Sequence, residues 1–275
     1  MEEMEGDVQH RRLSYRFPEL DHAYGDNVHI LADPLALTLL ARLGQKGVIQ
    51  PEVTRLLDSL YRTLVHTVVA AEFPRETRAI PTRMIDSEER GVWTGETIAA
   101  SSPAVVVALA RAGLVPAQVT FDFLNQVLDP QHVRQDHLSL GRQTDTAGRV
   151  IGVNLGAAKI GGSVEKAMLL IPDPMGATGN TITTALGHYQ DTVVGRPARV
   201  IAMHLIVTPE YLRHVATHHP GTIVYALRLD RGLSAPDVLD ATPGTRWSEE
   251  KGLNAHQYVV PGAGGLGEVM NNSWV

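Results

Sequence analysis

The sequence predicts an α/β fold in which a central, mainly parallel sheet is flanked by helices, with a small hood or hairpin at one side. Three observations predict it. Short apolar runs rich in Val, Ile and Leu recur from residue 104 onward, the runs are nearly continuous, and helical or irregular stretches separate most of them. Strands covered on both faces read this way, whereas a strand with one wet face alternates apolar and polar residues. Strands alternating with helices build a doubly wound sheet, whose ligands lie beyond the carboxyl ends of the strands.

The elements follow in order. Residues 1–27 read as a polar arm. Val28–Leu43 is apolar with helical spacing, and Asp33-Pro34 is a natural helix start. Pro51–Phe73 predicts a stronger helix: Leu56, Leu57, Leu60, Leu64, Val68 and Val69 recur at helical spacing, a stripe suited to a core or a dimer face. The strand candidates are Ala104–Leu109, Gln118–Phe123, Ala167–Pro172, Arg199–Val207 and Thr222–Leu229. Arg149–Gly162 is glycine-rich and reads as a hairpin or lid. Ala235–Glu250, rich in proline, acid and turn residues, reads as a surface insertion.

Composition narrows the chemistry. At 275 residues the chain can bury a large core without a staple. It contains no cysteine, which excludes disulfides, thiolate metal sites and cysteine nucleophiles. No apolar run is long enough for a membrane span, and the start MEEMEGDVQHRR lacks the features of a signal peptide, so a cytoplasmic protein is expected. The net charge of −6 argues against a nucleic-acid partner. No HExxH occurs among the histidines, His218-His219 is adjacent and does not share a helical face, and no resident protein-bound metal is expected. The run Gly262–Gly267 spells GxGxxG, but it falls at the end of the chain instead of opening a βαβ unit.

The most informative segment is Ala167–Thr184, AMLLIPDPMGATGNTITT. An apolar strand runs into Asp173, a loop of small and hydroxyl residues follows (Ala177, Thr178, Gly179, Asn180, Thr181), and a helix begins. Such a loop directs backbone N–H groups outward at a helix N-terminus, where the dipole favours an anion. The acid before it can accept hydrogen bonds from sugar hydroxyls. A plain turn between a core strand and a helix has the same outline, so physics alone leaves both readings open.

Asp173-Pro174-Met175-Gly176-Ala177-Thr178-Gly179 resembles the 5-phosphoribosyl pyrophosphate (PRPP) motif of type I phosphoribosyltransferases, in the form found in the uracil phosphoribosyltransferase branch. Four further stretches resemble that branch in the same order. Asp26–Leu43 is similar to its N-terminal opening. Val105–Gly113 is similar to its pyrophosphate strand and loop, with Arg111, Ala112 and Gly113 in the loop. His137–Arg142 is similar to a strand ending in a second pyrophosphate arginine, Arg142. Lys251–Gly264 is similar to its uracil loop.

The resemblance implies a type I phosphoribosyltransferase-like domain over 28–275 that joins ribose 5-phosphate from PRPP to uracil, in pyrimidine salvage. It implies that Arg111, Arg142 and the loop amides hold pyrophosphate, that Asp173 holds the ribose, and that Ala177–Thr181 holds the 5-phosphate. Mg²⁺ would be held mainly by substrate and water. Tyr258 would lie near the ribose, and Val259, Gly264, Gly265 and Leu266 would meet the base through main-chain groups. A homodimer or higher homo-oligomer is expected.

The match departs from the family at the terminal loop. The family pattern Pro-Gly-x-Gly-Asp-x-Gly-Asp-Arg reads here with Gly265 for the first aspartate, Glu268 for the second and Val269 for the arginine. Gln143 and Thr144 replace an acidic pair after Arg142, and Asn180 stands where glycine is usual. These changes leave two readings: an active transferase with an altered site, or a protein that keeps the pocket but has lost fast chemistry and serves as a PRPP or nucleotide sensor or an assembly partner.

Overall fold

The structure is a computed structural model that describes residues 14–144 and 150–273. In chain order the elements are β1 (Val28–Ile30), α1 (Pro34–Leu43), α2 (Glu52–Glu72), β2 (Arg75–Pro81), β3 (Val92–Ile98), β4 (Ala104–Ala110) and α3 (Leu114–Val127). Then come β5 (Val133–Thr144), β6 (Val150–Lys159), β7 (Met168–Pro172), β8 (Met175–Gly176), α4 (Asn180–Thr192), β9 (Arg199–Val207), α5 (Pro209–His218), β10 (Thr222–Leu229), α6 (Pro236–Leu239) and α7 (Leu266–Val269). The main sheet runs β1-β10-β9-β7-β4-β5-β6, with β8 beside the end of β9. Its pairings are parallel except for β5 with β6.

Successive side chains of a strand point to opposite faces, and here both faces are dry. On β4, Ala104, Val106 and Ala108 pack with α2 and α3, while Val105, Val107 and Leu109 pack toward α4 and α5. The same two-way division continues through Met168 and Leu170 against Leu169 and Ile171 on β7. Helix α2 seats its predicted stripe in the first core; Leu57, Leu60, Leu64 and Val68 have no exposed surface. At the start of α1, the Asp33 carboxylate accepts the N–H groups of Leu35 and Ala36, as an N-cap should.

The structure corrects parts of the sequence reading. Gln118–Phe123, expected as a strand, lies inside helix α3. Its β-branched and aromatic residues suggest a strand, but Pro116, Ala117, Val119, Thr120 and Leu124 are the buried positions of α3, one face of a helix, and packing on β4 and α2 decides the outcome. Val28–Leu43 is not one helix: Val28–Ile30 pairs with β10 as an edge strand before the helix begins. The small antiparallel hairpin is β2–β3, a separate two-stranded sheet that the sequence reading left unassigned. Within Arg149–Gly162, Arg149 lies outside the described residues, and Val150–Lys159 forms β6 along β5.

The described part of the N-terminal arm lies against the sheet edge. The Leu20 N–H donates to the Ile30 carbonyl, and Tyr24 is buried. The insertion 235–250 is pinned from beneath. Arg231 donates to the carbonyls of Val238, Leu239 and Ala241 and pairs with the buried Glu250 carboxylate at 3.0 Å. Glu250 also accepts from the Tyr24 hydroxyl at 2.5 Å and from the Gly244 N–H. Arm, insertion and sheet edge thus meet on one carboxylate. Among the described residues no helix is long and apolar enough to cross a membrane.

Removing Glu250 leaves the Arg231 guanidinium buried without its counter-charge. Glu250→Ala is expected to cost about 3 kcal/mol in urea unfolding, and limited proteolysis should then cut within residues 235–250.

Candidate active site

The carboxyl ends of β4 and β7 open on a cavity of about 490 Å³. It is surrounded by the turn after β4, Leu140 and Gly141 of β5, Asp173 after β7, the loop into α4, Tyr211 of α5, and the chain from Gln257 to Glu268. Parallel strands end here with their carbonyls on one side and helix N-termini on the other, which is why α/β sheets bind ligands at this edge.

The loop into α4 is built to receive an anion. Its carbonyls are occupied from below, where Thr208 donates its N–H to Gly176 and its hydroxyl to Ala177 at 2.6 Å. The N–H groups of Thr178, Gly179, Thr181 and Ile182 have no acceptor among the described residues. Helix α4 has no side-chain cap, so its positive end faces the cavity uncovered. Gly179 has φ +86°, and a Cβ there would lie 2.8 Å from the His214 ring. Backbone and neighbour both require glycine at this position. Asn180 becomes the first residue of α4 with ordinary helical backbone, which explains why a family glycine is dispensable there.

Asp173 presents part of its surface to the cavity while the surrounding wall removes it from bulk water. Desolvation pushes its carboxyl up to about 7, against the opposing pull of the Met175 N–H. The residues behind it are neutral. His204 is buried, with Nδ1 2.5 Å from the Asp173 carbonyl oxygen and Nε2 2.5 Å from the Tyr211 hydroxyl. A carbonyl can only accept, so Nδ1 donates and Nε2 takes the Tyr211 proton. Burial lowers the imidazole to about 4, so the ring is uncharged at neutral pH and Asp173 gains no ion pair from it.

The turn after β4 carries Arg111, reached through a cis Ala110–Arg111 peptide. Gly113 closes this turn: a Cβ would lie 2.8 Å from the Leu109 oxygen and 2.9 Å from the Pro172 oxygen. That close approach sets the Arg111 turn beside Asp173. The Arg111 guanidinium donates to the Ser273 hydroxyl at 3.1 Å. The opposite wall is held by Arg228 and Asp230, which take the Gly262 carbonyl and N–H at 2.9 and 2.7 Å. Asn254 accepts the N–H groups of His256 and Tyr258, turning Tyr258 toward the cavity.

The structure brings most of the predicted residues together. Asp173, Arg111, Ala112, Ala177, Thr178, Gly179, Asn180, Thr181, Tyr258, Val259, Gly264, Gly265 and Leu266 all line the cavity. Gly113 does not; it packs beneath the turn. Arg142 belongs to strand β5, and its side chain lies outside the described residues. Met175, Tyr211, Gln257, Gly267 and Glu268 also line the cavity without having been singled out as contacts. Tyr211 carried no local signal, because α5 brings it in from a distant part of the chain.

A helix end with unpaired N–H groups, a carboxylate at a strand terminus and an arginine turn, joined on this sheet, are the arrangement of type I phosphoribosyltransferases. A model of the uracil phosphoribosyltransferase family matches residues 30–245, and the chain belongs to that family. It is 23% identical to the uracil phosphoribosyltransferase of Mycoplasma genitalium, across 82% of this chain and 95% of that protein. With the Geobacillus kaustophilus uracil phosphoribosyltransferase it shares 26% identity, across 88% and 96%. In structure it is similar to the AQ2163 protein from Aquifex aeolicus, with a TM-score of 0.66 at 19% identity over 88% of this chain and 97% of the other.

Two tests follow from the geometry. Asp173 holds its proton up to about pH 7 when folded but only to the ordinary carboxylate range when unfolded. Its burial therefore costs nothing at low pH, an increasing amount between those values, and a constant amount above pH 7. The stability of Asp173→Asn relative to wild type should accordingly grow by about 3 kcal/mol between pH 5 and pH 8 in urea melts. Gly179→Ala should lose about 1–2 kcal/mol of stability and weaken phosphate-ester binding measured by calorimetry.

Proposed function

We propose that this protein transfers ribose 5-phosphate from PRPP to uracil, producing UMP and pyrophosphate. The observation that carries the reading is the convergence of Asp173, the free N–H groups before α4 and the Arg111 turn on one cavity. The uracil phosphoribosyltransferases among its relatives support the choice of base.

In this reading the 5-phosphate sits on the amides of Thr178, Gly179, Thr181 and Ile182, which are already unpaired and need no reorganisation. The Asp173 carboxylate accepts from the ribose hydroxyls. The bond from the anomeric carbon to pyrophosphate oxygen breaks as the bond to a ring nitrogen of uracil forms, and that nitrogen gives up its proton. Positive charge grows on the ribose while negative charge gathers on the leaving group. Asp173 faces the first charge and Arg111 the second, whose planar fork suits phosphate oxygens. The main chain around Val259 and Gly264–Leu266 forms the wall for the base, with Tyr258 near the ribose.

The donor set fits Mg²⁺ entering with PRPP. Asp173 and Glu268 line the cavity and would offer it oxygen ligands, and the described residues contain no group of three that would hold a metal alone. Bound Mg²⁺ would neutralise part of the pyrophosphate charge. The second reading, a pocket that binds without turnover, rests on Gly265, where the family's terminal loop carries an acid.

The deciding experiment is pyrophosphate release from PRPP and Mg²⁺ in the presence of uracil and other bases. Release with uracil is expected, and Arg111→Ala should lower kcat/KM by roughly 100-fold. Heat-stabilisation by PRPP without release for any base would instead identify a binding protein.

A further inference from the structure

Gly265 has φ −80°, a value open to any residue, so its backbone does not call for glycine. Space does. A Cβ at Gly265 would lie 2.1 Å from Glu268 Oε2 and 3.0 Å from Glu268 Cδ. The Glu268 carboxylate therefore occupies the volume in which a side chain at position 265 would begin. We propose that Glu268 is a positioning carboxylate of this site, one that orients the divalent cation accompanying a diphosphate ester, and that Gly265 leaves open the room its carboxylate takes up. The inference rests on the reading of the cavity as a PRPP site.

The placement of Glu268 is determined by packing. Its short helix α7 is anchored through the buried Leu266 and Met270, and Gln50 donates its side-chain amide to the Met270 carbonyl at 2.8 Å. Gly267 brings the same helix against the Arg111 turn, since a Cβ there would lie 3.7 Å from Ala112 Cβ. Glu268 is the third residue of α7, where a glutamate ordinarily reaches back to accept the N–H of the capping residue. That bond is not made. The Glu268 carboxylate has no hydrogen-bond or ion-pair partner among the described residues, yet it lines the cavity with Asp173 and Arg111.

An unpaired carboxylate in a cavity for a polyanion repels its own ligand unless a cation lies between them. Arg111 is not paired with Glu268; its guanidinium donates to Ser273. Mg²⁺ is suited to that place: it accepts one or two carboxylates together with phosphate oxygens and keeps several waters.

The test is calorimetric titration of PRPP into the full chain with and without Mg²⁺. Wild type should bind more tightly with Mg²⁺. In Glu268→Gln that gain should shrink by about tenfold or more, while affinity without Mg²⁺ is unchanged or higher because a negative charge is gone. Gly265→Ala, which expels the carboxylate, should show the same reduced gain. A full Mg²⁺ gain in Glu268→Gln overturns this inference and leaves the PRPP reading intact. Failure of wild type to bind PRPP with or without Mg²⁺ overturns both.

Discussion

Covering the central strands on both faces is the constraint from which the site follows. With α2 and α3 on one side and α4 and α5 on the other, β4, β7 and β9 have no lateral surface left for a ligand. Only the strand ends remain accessible. At that edge the chain must turn from a dry strand into a helix, and each turn leaves backbone groups unpaired. The uncapped start of α4 and the turn holding Arg111 are two such places, and Gly113 draws the second against the end of β7. The polar character of the cavity is thus a consequence of how the apolar layers close.

Charge within the cavity is arranged by desolvation more than by ion pairing. Asp173 sits in front of Tyr61, His204 and Tyr211, whose own ionisations burial disfavours. A cationic partner behind Asp173 would lower its pKa and anchor it away from a ligand. Neutral neighbours instead leave the carboxyl poised near neutrality and free to respond to positive charge developing in front of it. The insertion 235–250 uses the opposite device, an ion pair with charge-assisted hydrogen bonds around Glu250, at a place where fixed geometry is needed.

Much of this is legible in the sequence, for reasons that differ by element. Strands β7, β9 and β10 are short, doubly buried and bounded by breakers, so their apolar runs coincide with their ends. The stretch Asp173–Thr181 is legible because its chemistry is local: the acid, the loop and the helix start are contiguous. Helix α3 misleads because Val119, Thr120, Phe121 and Phe123 favour strands when read alone, and only contacts with α2 and β4 make the helix the better burial. The β2–β3 hairpin lacks a strong apolar pattern because much of its surface is exposed. The role of Tyr211 and the fit between Gly265 and Glu268 depend on side-chain placement in three dimensions, which spacing along the chain does not encode.

The contact between Arg111 and Ser273 bears on how readily the cavity accepts its first ligand. A guanidinium left in open solvent samples many rotamers, and ordering it upon binding has an entropic cost. Here it rests against a neutral hydroxyl, restrained but not neutralised. An arriving dianion exchanges that one hydroxyl for charge-assisted bonds roughly twice as strong. Ser273 would therefore hold the arginine beside the cavity and release it readily to an anion.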